Sequence, residues 1–493
     1  MTGWAPRAAL IALLAGCSAD RPVLRPIIDA PDPDDDAYPY AGLTSLVLTV
    51  ARGGEGDSVT IPIGEPLELG GAGYGSDIVI HLSGLAGEIE TAYGRTCAAD
   101  LTPEILDQSP ELHLYLSRIV MWAPEPGEVD SQRTGVLAYT LPDGRAAFVG
   151  GWPTPMAGRF DPQDGAFVEL PTSLETRQGA VLAPLADGRA LVIGGVNGDD
   201  DGVALVEVVD PRPPDQGLGP GGPLEAQPGP RLRDHAAATL VDGSVLVVGG
   251  EAQERSGRAF SPATRTAWLF AFGDGGVLQE PRQLGVEATL ARAGHSMTRL
   301  GDEVGADVLV VGGRDETGLP VAQAELYRPL RQAFETVDGA VLLVPRWGHT
   351  AVRLPGGSIL IIGGMTSTAD DPTPVAVSTL ELYDPVQGVF TDAGTMPPSA
   401  GLNGMSVSAL PDGRVLLAGG VDAGGDPVAT AFIARLDSLT GEVNVSPTDS
   451  LEVPRAGHGA APLCDGTILV VGGTDDAGAP GSERYNPPST GRR

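Results

Sequence analysis

The sequence predicts an all-β protein whose bulk is one sheet module repeated seven times. Three observations lead there. Gly (70) and Pro (44) are abundant among the 493 residues while hydrophobic residues still make up 42%. Without a collagen period, that balance fits many short strands joined by tight turns. Seven diglycines each close an apolar run: Gly150-Gly151, Gly194-Gly195, Gly249-Gly250, Gly312-Gly313, Gly363-Gly364, Gly419-Gly420 and Gly472-Gly473. Their spacings are 44, 55, 63, 51, 56 and 53 residues, a period that marks a repeat architecture.

Each unit opens on a pattern close to R-x-G-H, clearest at Arg292 to His295, Arg346 to His349 and Arg455 to His458. A first strand follows, then an Asp-Gly or Gly-Gly pair such as Asp187-Gly188 or Gly356-Gly357. Such pairs accept positive φ and make tight hairpins. Unit four replaces this turn with the longer Gly301 to Asp307. The second strand, such as Val245 to Val248 or Ile359 to Ile362, is apolar on both faces, as a strand packed between neighbouring sheets must be. A third strand ends on Tyr-x-Pro or Asp-Pro, as at Tyr327 to Pro329, Tyr383 to Pro385 and Tyr485 to Pro487, and Phe167, Phe334 and Phe390 mark a fourth. Unit two lacks a clear fourth strand; Pro211 to Pro230 reads as a surface loop. Unit seven stops after its third strand, and Arg118 to Pro124, ahead of unit one, is expected to complete it.

This layout, from about Arg133 to Pro487, resembles the kelch family of galactose-oxidase-like proteins. The resemblance implies a seven-bladed β-propeller, a ring of four-stranded blades around a central channel. One blade cannot bury both faces alone, and closing the ring removes exposed sheet edges. Ahead of it, short alternating runs such as Leu46 to Val50, Val59 to Ile63 and Ile78 to Leu82 predict a small β-sandwich-like domain over 38–117.

The N-terminus reads as an export signal. Arg7 precedes a short apolar run ending in Leu14-Ala15-Gly16-Cys17. That sequence resembles the lipobox of bacterial lipoproteins, with an ordinary signal peptide as the alternative. The resemblance implies cleavage of 1–16, lipidation of Cys17 and anchoring in the cell envelope. Ser18 after the cysteine resembles an outer-membrane sorting signal. Residues 17–37, Pro-rich with Asp32, Asp34, Asp35 and Asp36, are expected to form an extended tether, and 118–493 the repeats. Cys97 and Cys464 either form one disulfide or remain two thiols.

The formal net charge is −33, and every one of the 31 basic residues is Arg. Such a chain is repelled by phosphate backbones, which argues against nucleic acid as a partner. His235, His295, His349 and His458 fall at equivalent blade positions, which suits packing better than convergence on one metal. No cofactor motif, P-loop or nucleophile elbow is present. Galactose-oxidase-like chemistry needs a modified tyrosine beside a cysteine, and the only repeat cysteine, Cys464, lies on a hairpin turn.

Loops after the diglycines carry Asp199, Asp200, Asp201, Asp315, Glu316, Asp370, Asp371, Asp422, Asp426, Asp475 and Asp476. Equivalent loops of a propeller share one face, so these are the candidate binding residues. The plainer reading is that Asp and Gly are good turn residues. The expected protein is therefore a monomeric, envelope-anchored platform for a protein or glycan. The alternative is a sugar oxidase or isomerase at the channel mouth.

Overall fold

The computed structural model describes residues 26–488, except 53–54, 66, 68–74, 103–111, 126–132, 154, 164, 171–173, 213–221 and 474–480. It is essentially all-β, with one short 3-10 turn at Asp274–Gly276 among the described residues. The signal segment, Cys17, Asp475 and Asp476 lie outside the described residues.

Seven antiparallel four-stranded sheets carry the diglycines. Sheet four is typical: Ser296–Arg299, Val308–Val311, Gln323–Arg328 and Ala333–Val341 lie side by side in chain order. The second strand of all seven is buried along its length, save for the half-exposed Trp152 that ends the first. First strands of successive sheets touch in sequence order, and that of the seventh (Gly459–Pro462) touches that of the first (Thr134–Thr140).

Backbone hydrogen bonds follow the same order. The second glycine of a diglycine donates its N–H to a carbonyl in the next unit: Gly195 to Leu232, Gly250 to Arg292, Gly313 to Arg346, Gly364 to Leu402 and Gly420 to Arg455, each at 2.7–2.9 Å. Gly473 of unit seven donates to Arg133 of unit one, at 2.8 Å. The requirement for glycine is steric. Gly312 has φ +66°, and a Cβ there would stand 2.4 Å from the Arg346 carbonyl oxygen.

The fourth strand of sheet seven is Met121–Glu125, paired antiparallel with Ser482–Asn486 so that Trp122 opposes Tyr485. Their rings lie 5.0 Å apart between centroids. Arg118 belongs elsewhere: Ser117–Arg118 pairs with Ile89–Arg95 of the N-terminal sheet, because the chain reverses at Ile119-Val120.

Two further expectations are corrected. Unit two has a fourth strand, Gly222–Pro228, paired with Leu205–Asp210. Its ladder is made by backbone groups, which the Pro/Gly-rich composition obscures. The segment 17–37 is not all tether. Ile27–Asp29 pairs in parallel with His113–Tyr115, and Pro26, Pro31 and Ala37 are buried. Ile28, packed against the N-terminal core, and the buried Pro26, Pro31 and Ala37 seat it despite the flanking aspartates.

The N-terminal domain is less symmetric than a sandwich. Among the described residues, one six-stranded sheet (Glu55–Pro62, Ser45–Arg52, Gly75–Ala86, Ile89–Arg95 and Ser117–Arg118, with Ala99–Leu101 branching from the third) shares its core with that two-stranded parallel pair. Ile80, Leu82, Leu114 and Leu116 form their shared core. The domain is joined to sheet seven by a Cys97–Cys464 disulfide, which settles the fate of the two cysteines. Arg95 also donates to the Cys464 carbonyl (3.0 Å), and the Asn486 amide donates to the carbonyls of Tyr93 (2.7 Å) and Ser117 (3.0 Å).

Candidate functional site

At the diglycine end of each sheet the opening residues of one unit meet the diglycine of the unit before. Four units bury an Arg–Glu pair there: Arg177–Glu207, Arg292–Glu325, Arg346–Glu381 and Arg455–Glu483, all nearly inaccessible to water. Each arginine also donates to the first diglycine carbonyl, as Arg292 does to Gly312 at 2.7 Å. Each glutamate accepts backbone N–H groups from the segment just before its arginine, as Glu381 does from Leu343 (2.8 Å) and Val344 (3.0 Å). Every charge is thus paired and hydrogen-bonded, the condition under which buried ions are tolerated.

Units one, three and six do without the pair, unit one having Gly158 in the glutamate position. Leu232 and Leu402 stand in the arginine position, and Trp268 and Phe432 in the glutamate position. There the first diglycine N–H bonds the third strand directly, Gly249 to Thr266 (2.9 Å) and Gly419 to Thr430 (3.1 Å). In the four paired units the guanidinium fills that gap.

The four repeat histidines are buried beside the first glycine of the preceding unit, His349 against Gly312 and His458 against Gly419. Burial holds their imidazoles uncharged. It pulls His235 down to about 4 and His349 and His458 to about 3, and moves His295 well below the ordinary value. His349 and His458 bond Ser296 and Ser406 through Nε2 at 2.8 Å. Among the described residues no group of three His, Cys, Asp or Glu could hold a metal ion.

The acidic loops mostly bind themselves. Asp315 accepts from the N–H groups of Thr317 (2.8 Å) and Leu319 (3.0 Å), Asp371 from Thr373 (3.0 Å), and Asp422 from Gly424 (2.7 Å) and Asp426 (3.1 Å). These are side chains shaping their own turns. Asp201 reaches further, to Gln253 Nε2 (2.9 Å), the Gly257 N–H (2.8 Å) and Ser256 of unit three, and those bonds hold its carboxyl below the ordinary range. Asp199, Asp200, Glu316, Asp370 and Asp426 are exposed.

What does converge is a group the loop aspartates do not reveal. The residues after the opening Arg or Leu position and after the diglycine sit opposite each other, as Arg233 and Glu251 do. Arg233 bonds Glu251 (2.8 Å) and lies over the Phe260 ring, 4.1 Å from its centroid. Arg314 of unit four bonds Asp234 of unit three (2.8 Å), comes within 3.8 Å of Glu251, and lies 5.7 Å from the Trp347 ring centroid of unit five. Asp234 stands where other units have glycine, at φ +53°, and its carbonyl accepts the Gly294 N–H at 2.6 Å. Trp152, after the first diglycine, covers Gly198 of the unit-two loop. Trp152, Arg233, Arg314 and Trp347 are all half-exposed, so charged and aromatic faces are offered together. The available signal was positional: these residues occupy the variable sites that flank the invariant ones in each unit.

Compared with known proteins, the chain matches no protein family and no curated protein.

Proposed function

We propose that this chain is a seven-bladed kelch-type propeller, exported and lipid-anchored at the outer membrane. We propose that it binds a protein or glycan at its diglycine face. The carrying observation is the Arg233–Asp234–Glu251–Arg314 group with Trp347 at one end of sheets three to five. It spans consecutive units, so a ligand lying across it contacts a rigid platform rather than one loop. Paired charges give directional hydrogen bonds, and a tryptophan face suits a sugar ring or an apolar side chain. The return of hydrogen bonds from Gly473 to Arg133 supports closure into a ring.

The same face argues against a sugar oxidase or isomerase as the first reading. Such chemistry needs a titratable group poised near the working pH and open to substrate. The strongly shifted histidines are buried.

The test compares wild type with Trp347→Ala and Arg314→Ala in affinity capture from envelope extracts and on a glycan array. A ligand held by wild type and lost by both variants supports the reading. A ligand held equally by all three overturns this face as the site. Turnover of a sugar panel without retention of any ligand favours the enzyme.

A further inference from the structure

The end of the sheets opposite the diglycines carries a different surface. First-to-second and third-to-fourth strand turns both lie there, because the third strand runs away from the diglycine. Three third-to-fourth turns in consecutive units present an aliphatic side chain at the tip. Leu330, Val386 and Leu439 are 79%, 94% and 95% exposed. Each lies two residues past the residue that closes its turn, Arg328, Asp384 or Asp437. Units one, two and seven place Gln163, Arg212 and Pro488 at that site. Val304, 75% exposed, adds a fourth tip from the adjoining loop of unit four, next to Gly305, which abuts Leu330.

We infer that this row of tips rests in a lipid surface, with the diglycine face turned away from it. The inference depends on the proposed lipid anchor at Cys17. Three observations select a membrane as the occupant. The N-terminal domain is fastened to this same end, through Cys464 in the first turn of unit seven and Asn486 at the close of its third strand. Eight residues lie between Cys17 and Pro26, a span of at most about 30 Å. The anchored lipid therefore holds this end near the bilayer.

Carboxylates are exposed at both ends, Asp199, Glu316 and Asp370 at the diglycine end and Asp302, Glu303 and Glu442 beside the tips, so charge does not choose between the faces and the choice rests on the tether and the tips. Single aliphatic tips on separate turns also suit lipid better than a protein groove. Each can enter between headgroups without shape complementarity.

The experiment uses the full lipidated chain in vesicles of phosphatidylethanolamine with a minority of phosphatidylglycerol. A polarity-sensitive fluorophore is placed singly through Leu330→Cys, Val386→Cys, Leu439→Cys and Glu316→Cys. The first three sites are expected to shift to shorter wavelength and to be quenched by lipid-borne quenchers, with Glu316→Cys unchanged. Four equally water-exposed sites on a chain whose N-terminal peptide carries acyl groups by mass spectrometry overturn the orientation and leave the anchor standing. An unacylated chain that ignores vesicles overturns both. Shielding of the three sites in envelope membranes but not in pure lipid assigns the row to a protein partner and also overturns the inference.

Discussion

Arg292 and Glu325 form a buried pair 2.8 Å apart with both side chains fully inaccessible to water. Arg292→Leu leaves the Glu325 carboxylate buried, with only the N–H groups of Thr289 and Leu290 to bond it. It also strips a donor from the Gly312 and Gln323 carbonyls. Breaking such a pair from one side costs about 3–5 kcal/mol. Glu325→Phe alone strands the guanidinium and should cost a similar amount.

The double variant Arg292→Leu/Glu325→Phe copies what units three and six already contain, Leu232 with Trp268 and Leu402 with Phe432. In those units the diglycine N–H bonds the third strand directly, and unit four can adopt that bond once the guanidinium is gone. Replacing a buried pair by apolar groups of like volume is close to neutral, so the double variant should lie within about 2 kcal/mol of wild type. Urea unfolding at neutral pH, followed by tryptophan fluorescence, measures all four corners of the cycle. If the two single losses simply add in the double variant, or if Arg292→Leu loses less than about 1 kcal/mol, Arg292 and Glu325 do not support each other as described.

Three further outcomes are expected. The His349 imidazole has a folded pKa of about 3, below the unfolded 6.5, so its contribution is fully present above pH 6.5 and is lost as pH falls toward 3; at pH 5 the loss is about 2 kcal/mol, and His349→Met, copying Met405 of unit six, should flatten the acid limb of a stability-versus-pH curve. A Cys97→Ala/Cys464→Ala variant loses a cross-link spanning 367 residues, which should lower stability by about 3–4 kcal/mol and advance proteolytic cleavage near Met121, seen by timed digestion and mass spectrometry; unchanged digestion would count against the disulfide as a latch between the N-terminal domain and sheet seven. Gly312→Ala meets the Arg346 carbonyl and should cost at least about 2 kcal/mol, whereas Gly318→Ala, also at positive φ but in open space, should cost about 1 kcal/mol; equal losses on thermal melting would mean backbone strain alone demands the diglycines.

The repeat was legible because local rules fix it. Diglycine spacing, the Asp-Gly turns and the apolar second strands depend on each residue's own φ, its hydrogen-bonding capacity and its surface. Those signals locate three strands in nearly every unit and, within the expected Arg118 to Pro124, the residues Met121 to Pro124 that pair with the last of them. They failed where pairing is made by backbone groups that composition disguises, as in Gly222–Pro228, or by a short apolar pair among prolines, as in Ile27–Asp29.

The candidate face was less legible. The loop aspartates named from sequence mostly brace their own turns, while Arg233, Asp234, Glu251 and Arg314 come from two units and meet only after the sheets assemble. What the chain determines by itself is each module and its ends. What the tertiary structure alone decides is which modules' variable positions share a face, which arginine finds which glutamate, and that Cys97 reaches Cys464. Those contacts join residues far apart in sequence, and nothing in local preference specifies how far apart in space they lie.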